Sequence, residues 1–159
     1  MQDVLSAILR YGVAALFIAG GLAKIRFADE FGLMVRAYGI VWRPGPVRAA
    51  ATGVTASEIV IGAGLLAQPV SWYSAVAAIA TLAIFSGAAA VALLKGRRPA
   101  DCGCMPGARR TPPVGWHLFL RNGALACLLV PTVRPAVTAV AILCAVLCTA
   151  VALALDDGR

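Results

Sequence analysis

The sequence predicts an all-α integral membrane protein, a helical bundle of five transmembrane helices with a four-helix core and one further helix. Apolar residues make up 61% of the 159 residues and charged residues only 13%, and the mean hydropathy is +0.88. Soluble domains carry about 25% charged residues, and a soluble domain of this length could not bury so much apolar surface. The length is that of one domain, so we treat residues 1–159 as a single transmembrane domain.

Five apolar runs are long enough to cross a bilayer, which takes about 20 residues in a helix. No small-residue cleavage site follows the first run, so we expect it to be retained as a helix. The segments between the runs, including Arg26–Arg48, are expected to be connecting loops. The predicted spans are Val4–Ile25, Ala49–Ala67, Trp72–Leu94, Val114–Val130 and Ala136–Leu155.

The loop after the third predicted span contains two cysteines one residue apart, Cys102 and Cys104. Two cysteines so close form a strained disulfide, and strained, accessible disulfides are the labile, catalytic kind. Neighbouring cations favour the reactive thiolate, and Asp101 is the only local acid. The pair is therefore predicted to be redox-active. Two alternatives stay open, incidental cysteines or half of a metal site. No metal site is predicted, because a tetrahedral site needs further ligands and His117 is the only histidine.

Besides Arg10, three charged residues fall inside or at the end of predicted spans: Lys24, Glu58 and Arg121. An unpaired charge in hydrocarbon is costly, so such residues usually face the bundle interior and pair. We expect Arg121 and Lys24 to bracket Glu58, with Asn122 available for hydrogen bonds. This group has one of two roles. It forms either a polar layer beneath the cysteines that supports their chemistry, or a purely structural contact between helices.

The other candidate residues are expected to have structural roles. Cys127, Cys144 and Cys148 lie within spans and pack as small apolar side chains. His117 is expected to be an interfacial anchor, and Arg10 to extend its side chain to the lipid headgroups.

The net charge of +7 does not indicate a nucleic-acid partner, because the basic residues flank apolar segments. In a membrane protein such residues first determine topology and contact anionic lipid. The partner that they predict is the lipid membrane. Most of them lie on the side of the cysteine loop, so the positive-inside rule alone predicts a cytoplasmic loop.

Four features together resemble the methylamine-utilisation MauE proteins, within the wider DoxX-like group of redox-associated membrane proteins. In chain order they are Gly20-Gly21-Leu22-Ala23-Lys24, Glu58, Asp101-Cys102-Gly103-Cys104 and Arg121-Asn122. The Cys-Gly-Cys element is the specific part. The family usually continues with Phe-Gly, where this chain has Met105-Pro106-Gly107.

The resemblance implies that Cys102 and Cys104 help to form or isomerise disulfides in exported proteins, beside a thioredoxin-fold partner. It also implies a likeness to the four-helix core of vitamin K epoxide reductases, and hence a quinone as electron acceptor without a tightly bound cofactor. The protein would lie in the plasma membrane, and this role favours the outer face for the cysteine loop. Two other functions remain open, a non-enzymatic scaffold for a redox or sulfur-handling protein and a metal-handling protein that uses the two thiolates.

Overall fold

The computed structural model describes residues 2–39, 43–67, 71–97 and 114–132, and all regular structure within these ranges is helical. A short 3₁₀ turn, Val130–Thr132, follows the last α-helix. The helices are α1 Gln2–Arg26, α2 Ala28–Ala37, α3 Pro44–Leu66, α4 Ser71–Leu94 and α5 Trp116–Leu129.

Four of the helices form a closed bundle. α1 packs against α3 and α5, and α4 packs against the same two helices from the other side. The main apolar core lies between all four and includes Val13, Phe17, Leu65, Leu82 and Leu129. The all-helical fold class is therefore confirmed, with a four-helix core.

Within the described residues, three helices are long and apolar enough to cross a membrane, namely Ser6–Arg26, Pro44–Leu66 and Ser71–Leu94. α5 has 14 residues, which at 1.5 Å per residue is about 21 Å and less than the ~30 Å hydrocarbon core. The fifth predicted span, Ala136–Leu155, lies outside the described residues. The structure thus shows a multi-pass helical protein, and the number of five spans stays a prediction.

The Arg26–Arg48 segment was expected to be a loop, and this expectation is wrong. The chain turns at Phe27, whose φ of −118° and ψ of 46° end α1, and α2 begins at once. Asp29 and Glu30 in the first turn of α2, and Arg36 in its last, match the helix dipole. α2 packs back against α3 and α1, so this end of the bundle carries an additional short helix.

Two glycines let α1 and α3 approach each other closely. A Cβ atom at Gly62 would lie 2.6 Å from Cγ1 of Ile18 and 3.1 Å from the carbonyl oxygen of Ala14. A Cβ atom at Gly21 would lie 2.6 Å from Cγ1 of Ile59. Small residues permit such contacts between membrane helices. The contacts run in opposite directions along the two helices, so α1 and α3 are antiparallel.

We expect Gly62→Ala to destabilise the protein by about 1–3 kcal/mol, because the added methyl group overpacks the seam between α1 and α3. The matched control is Gly53→Ala on the same helix, where a Cβ atom would meet nothing within 4 Å. That control should be neutral or stabilising by up to about 1 kcal/mol, since alanine favours helix. Thermal unfolding in detergent measures both, and equal unfolding temperatures would contradict the close approach.

Candidate functional site

The central polar feature is an ion pair between α1 and α3. Nζ of Lys24 donates to both carboxylate oxygens of Glu58, at 2.9 Å to Oε1 and 2.7 Å to Oε2. The two side chains are only 1% and 7% exposed. The predicted pairing of Glu58 with Lys24 is therefore confirmed. Its role in supporting thiol chemistry is not tested by this geometry.

Helices α1, α2 and α3 together bury this ion pair. Lys24 lies in the last turn of α1, one turn beyond Gly21, whose missing side chain brings the helix onto α3. Glu58 lies near the middle of α3, about 21 Å from its first residue. Phe31 of α2 is buried, and its ring centroid lies 5.2 Å from Nζ of Lys24. A cation over an aromatic face is stabilised, more so when water is excluded.

The expected second cation, Arg121, does not join this pair. Its side chain is exposed, and Nη2 donates to Oδ1 of Asn122 at 3.2 Å. Asn122 is only 1% exposed, and its Nδ2 donates to Oγ of Ser86 at 3.0 Å and to the carbonyl of Leu82 at 3.4 Å. The expectation that Arg121 brackets Glu58 is therefore wrong, and the hydrogen bonds of Asn122 are made to Arg121, Leu82 and Ser86. The helical register turns Asn122 toward α4 instead, where it holds α4 to α5.

The predicted site residues Asp101, Cys102 and Cys104 lie outside the described residues, as do Cys144 and Cys148. The two ends of their loop are described, at Arg97 after α4 and Val114 before α5. α4 ends at Leu94, and Gly96, two residues further on, has a φ of +68°. Gly96 donates to the carbonyl of Leu93, and Arg97 to that of Ala92, as in a glycine-terminated helix.

Tyr38 and Gly39, the two residues that follow α2, lie near the two ends of the cysteine loop. Tyr38 packs on an apolar cluster that includes Val114 and Leu118. Gly39 has a φ of +69°, and its missing side chain leaves room for the guanidinium group of Arg97. Since α2 also covers Lys24 through Phe31, one short helix connects the ion pair with the place where the loop begins and ends.

A pocket of about 390 Å³ lies beside the ion pair, between α1, α2 and α3. Lys24 and Phe31 form its inner part, and threonine and small apolar side chains of α3 form one wall. The lining residues are Lys24, Ile25, Ala28, Phe31, Ala51, Thr52, Thr55, Ala56 and Ile59.

Two other residues from the sequence analysis, Arg10 and Cys127, have the following environments. Arg10 is only 3% exposed, so its expected extension to the headgroups is wrong. It shares a helix face with Val13, Ala14 and Phe17, which turns it into the bundle. Cys127 is a free, exposed cysteine on α5.

Sequence reasoning missed Phe31 and Tyr38, the two aromatic residues through which α2 contacts the site. A signal for them was present. Phe31, Met34, Val35 and Tyr38 follow the i, i+3, i+4, i+7 spacing of an amphipathic helix. The sequence nevertheless predicts a loop here, because the segment lies between two much longer apolar runs and is itself too short to span a membrane.

The fold and the buried ion pair define a multi-pass helical membrane protein with one polar centre between its first two long helices. A family model described as "Methylamine utilisation protein MauE" matches residues 2–133. The chain belongs to this family, which confirms the resemblance found in the sequence.

Two curated relatives support the assignment. The chain is 35% identical to methylamine utilization protein MauE of Paracoccus denitrificans over 128 residues, which cover 80% of this chain and 68% of that protein. It is 34% identical to methylamine utilization protein MauE of Paracoccus versutus over 137 residues, covering 82% and 73%. No solved structure matches the chain.

We expect Glu58→Ala to impair folding or insertion by stranding the Lys24 ammonium in an apolar environment, at a cost of about 3–5 kcal/mol. The double variant Lys24→Met, Glu58→Leu should recover most of this loss, since apolar residues of similar volume often replace a buried ion pair at little cost. A double-mutant cycle on unfolding in detergent, with Lys24→Met and Glu58→Leu as its single variants, measures the coupling. Additive effects of the two single variants would contradict the ion pair.

Ser86→Ala should destabilise the seam between α4 and α5 by about 1 kcal/mol or more, because Asn122 then loses a buried hydrogen bond. Ser57→Ala is the matched control, since the Ser57 hydroxyl donates only to the carbonyl of Val54 in its own helix. The difference in unfolding temperature between the two variants is the measurement. If Ser57→Ala cost as much, the Asn122 contact would not matter.

Proposed function

We propose that this protein is a membrane thiol–disulfide oxidoreductase, or electron conduit, that supports disulfide formation or isomerisation in exported proteins during methylamine utilisation. Cys102 and Cys104 are the reacting residues, a thioredoxin-fold protein is the partner, and a quinone in the membrane is the electron acceptor. The protein would lie in the plasma membrane with the cysteine loop on the outer face.

The observation that carries the proposal is that the Cys-x-Cys element lies in a chain of the MauE family. The element joins Arg97 to Val114 at the bundle end that also carries α2 and the Lys24 side chain. We infer a position for the two cysteines near the membrane–water boundary, because α4 is a candidate membrane span that ends at Leu94. A soluble partner can reach such a position from water, and a lipid-soluble acceptor from the bilayer.

The exchange proceeds through a mixed disulfide. A thiolate of the reduced partner attacks the Cys102–Cys104 disulfide, forming one intermolecular bond and releasing one cysteine as a thiolate. The partner's second thiolate then attacks the mixed disulfide, so the partner leaves oxidised and Cys102 and Cys104 are left reduced. Two electrons have moved to this protein. A quinone that takes up these two electrons with two protons restores the disulfide.

We expect the double variant Cys102→Ser, Cys104→Ser to abolish growth on methylamine in a methylamine-utilising bacterium that lacks its own copy of the gene. Expression and helix content should stay unchanged, because the described helices form their core without these residues. The control is Cys127→Ser, which removes an exposed cysteine outside the loop and should leave growth intact. Full growth with the double variant would exclude the thiol mechanism.

Trapping separates an electron conduit from a scaffold. In cells quenched with acid and alkylated, Cys102→Ser or Cys104→Ser should retain a mixed disulfide with the partner, seen as a reducible band on a gel. A scaffold gives no such band. Labelling of Cys102 and Cys104 by a membrane-impermeant maleimide in intact cells tests the outer face, and labelling only after lysis would place the loop in the cytoplasm.

A further inference from the structure

We propose that the pocket between α1, α2 and α3 is part of a phospholipid site, in which one acyl chain fills the pocket and Arg48 binds the phosphate group. The inference involves neither the thiol chemistry of Cys102 and Cys104 nor the charge of Lys24. It follows from the surface on which the pocket opens, from its apolar lining and from the position of Arg48 on the same face of α3.

The pocket opens on a surface that faces lipid. Ile25, one of its lining residues, is 57% exposed, and Thr52 and Ala56 are also exposed. All three lie on candidate membrane spans, so molecules of the bilayer can enter the pocket sideways. Its volume of about 390 Å³ falls within the ~300–1,000 Å³ of typical small-molecule sites.

The lining favours a hydrocarbon chain as the occupant. The Thr55 hydroxyl already donates its proton to the carbonyl of Ala51 at 2.8 Å, and the Lys24 side chain is only 1% exposed. An ordered water needs about 2–4 polar partners, and an empty cavity loses van der Waals contacts. An acyl chain makes those contacts and needs no polar partner. The apolar lining residues that would contact it are Ile25, Ala28, Phe31, Ala51, Ala56 and Ile59.

Arg48 lies one helical turn beyond the pocket, on the same face of α3. It precedes the lining residues Thr52, Thr55 and Ile59 by four, seven and eleven residues, a spacing that keeps all of them on one face of a helix. Arg48 is exposed and lies about 6 Å from the beginning of α3. Helical side chains point toward the beginning of their helix, which here is the end of a candidate membrane span. The guanidinium group of Arg48 is therefore directed toward the level of the lipid headgroups.

The charge at this level favours a phosphate group. The Arg48 guanidinium makes no ion pair with any residue that the structure describes. Arginine binds phosphate through parallel N–H donors, and basic residues at the ends of membrane helices attract lipid phosphates. The acidic residues of α2, Asp29 and Glu30, are exposed. Each lies about 130° around the helix from the middle of the face that Ala28 and Phe31 turn to the pocket, so their carboxylates point away from it.

Photolabelling in detergent tests the site. The full-length protein in dodecyl maltoside micelles, which contain no phosphate, is mixed with a phosphatidylglycerol whose sn-2 chain carries a diazirine. After irradiation, the labelled residues are identified by mass spectrometry. Label should appear on pocket-lining residues of α1, α2 or α3. At equal mole fraction in the micelle, a diacylglycerol with the same diazirine chain should label the pocket about fivefold less, the effect expected when one basic residue loses its phosphate.

Two pairs of variants complete the test. Arg48→Gln should lower labelling by the phospholipid about fivefold and leave labelling by the diacylglycerol unchanged. Its control is Lys95→Gln, which removes an exposed positive charge after α4, at the same end of the bundle, and should change neither. Ala56→Trp should block labelling of the pocket by both probes. Ala63→Trp, two turns further along the same exposed face of α3, should block neither.

Several outcomes would overturn the proposal. Label outside the pocket, or unchanged labelling in Ala56→Trp, would show that the pocket does not hold the chain. Equal labelling by the diacylglycerol, or unchanged labelling in Arg48→Gln, would show that no phosphate is bound there. An equal loss in Lys95→Gln would show attraction by the overall charge instead of a site at Arg48. None of these readouts involves thiol exchange, so their failure is distinguishable from failure of the proposed function.

Discussion

Burying the ammonium group of Lys24 is the constraint on which this end of the molecule depends. A lone cation within a membrane bundle is costly, so Lys24 must have a carboxylate, and Glu58 supplies both of its oxygens. That contact requires α1 and α3 to lie in one register and close together, which Gly21 and Gly62 permit. The ion pair and the two glycines thus specify the same packing of α1 against α3.

α2 depends on the same interaction. It is too short to span a membrane and has ten residues, yet it is held at the bundle by Phe31 over Lys24 and by Tyr38 on the cluster that contains Val114. Together with Gly39, which lies beside Arg97, these contacts link the polar centre to both ends of the cysteine loop. A shift in the position of α2 would therefore change the surroundings of Lys24, the shape of the adjacent pocket and the contacts at the loop ends together.

The residues that carry the likeness to MauE separate into two groups in space. Lys24 and Glu58, with Gly21 behind them, form one centre between α1 and α3. Asn122 forms a second contact between α4 and α5 through Ser86, while Arg121 lies exposed beside it. The first group is a buried ion pair with an adjoining pocket, whereas the second is a hydrogen-bonded interface between α4 and α5. We therefore expect substitutions at Lys24 or Glu58 to have different consequences from substitutions at Asn122.

The sequence by itself determined the class of protein and most helix positions. Long apolar runs must become helices in a bilayer, because every backbone polar group has to be hydrogen-bonded within the segment. For this reason α1, α3 and α4 lie close to the predicted spans, with α3 beginning earlier, at Pro44. The same cost of an unpaired charge identified Lys24 as a partner of Glu58.

Only the tertiary structure decided which polar groups face each other and what covers them. Arg121 and Asn122 are adjacent in sequence, yet one is exposed and the other buried, because neighbouring residues point about 100° apart around a helix. That rotation is set by packing between α4 and α5. α2 likewise depends on burying Phe31 and on packing the partly buried Tyr38 that follows it, since a ten-residue helix is not stable alone. Local sequence contains the amphipathic pattern, and the bundle supplies the surface that makes it fold.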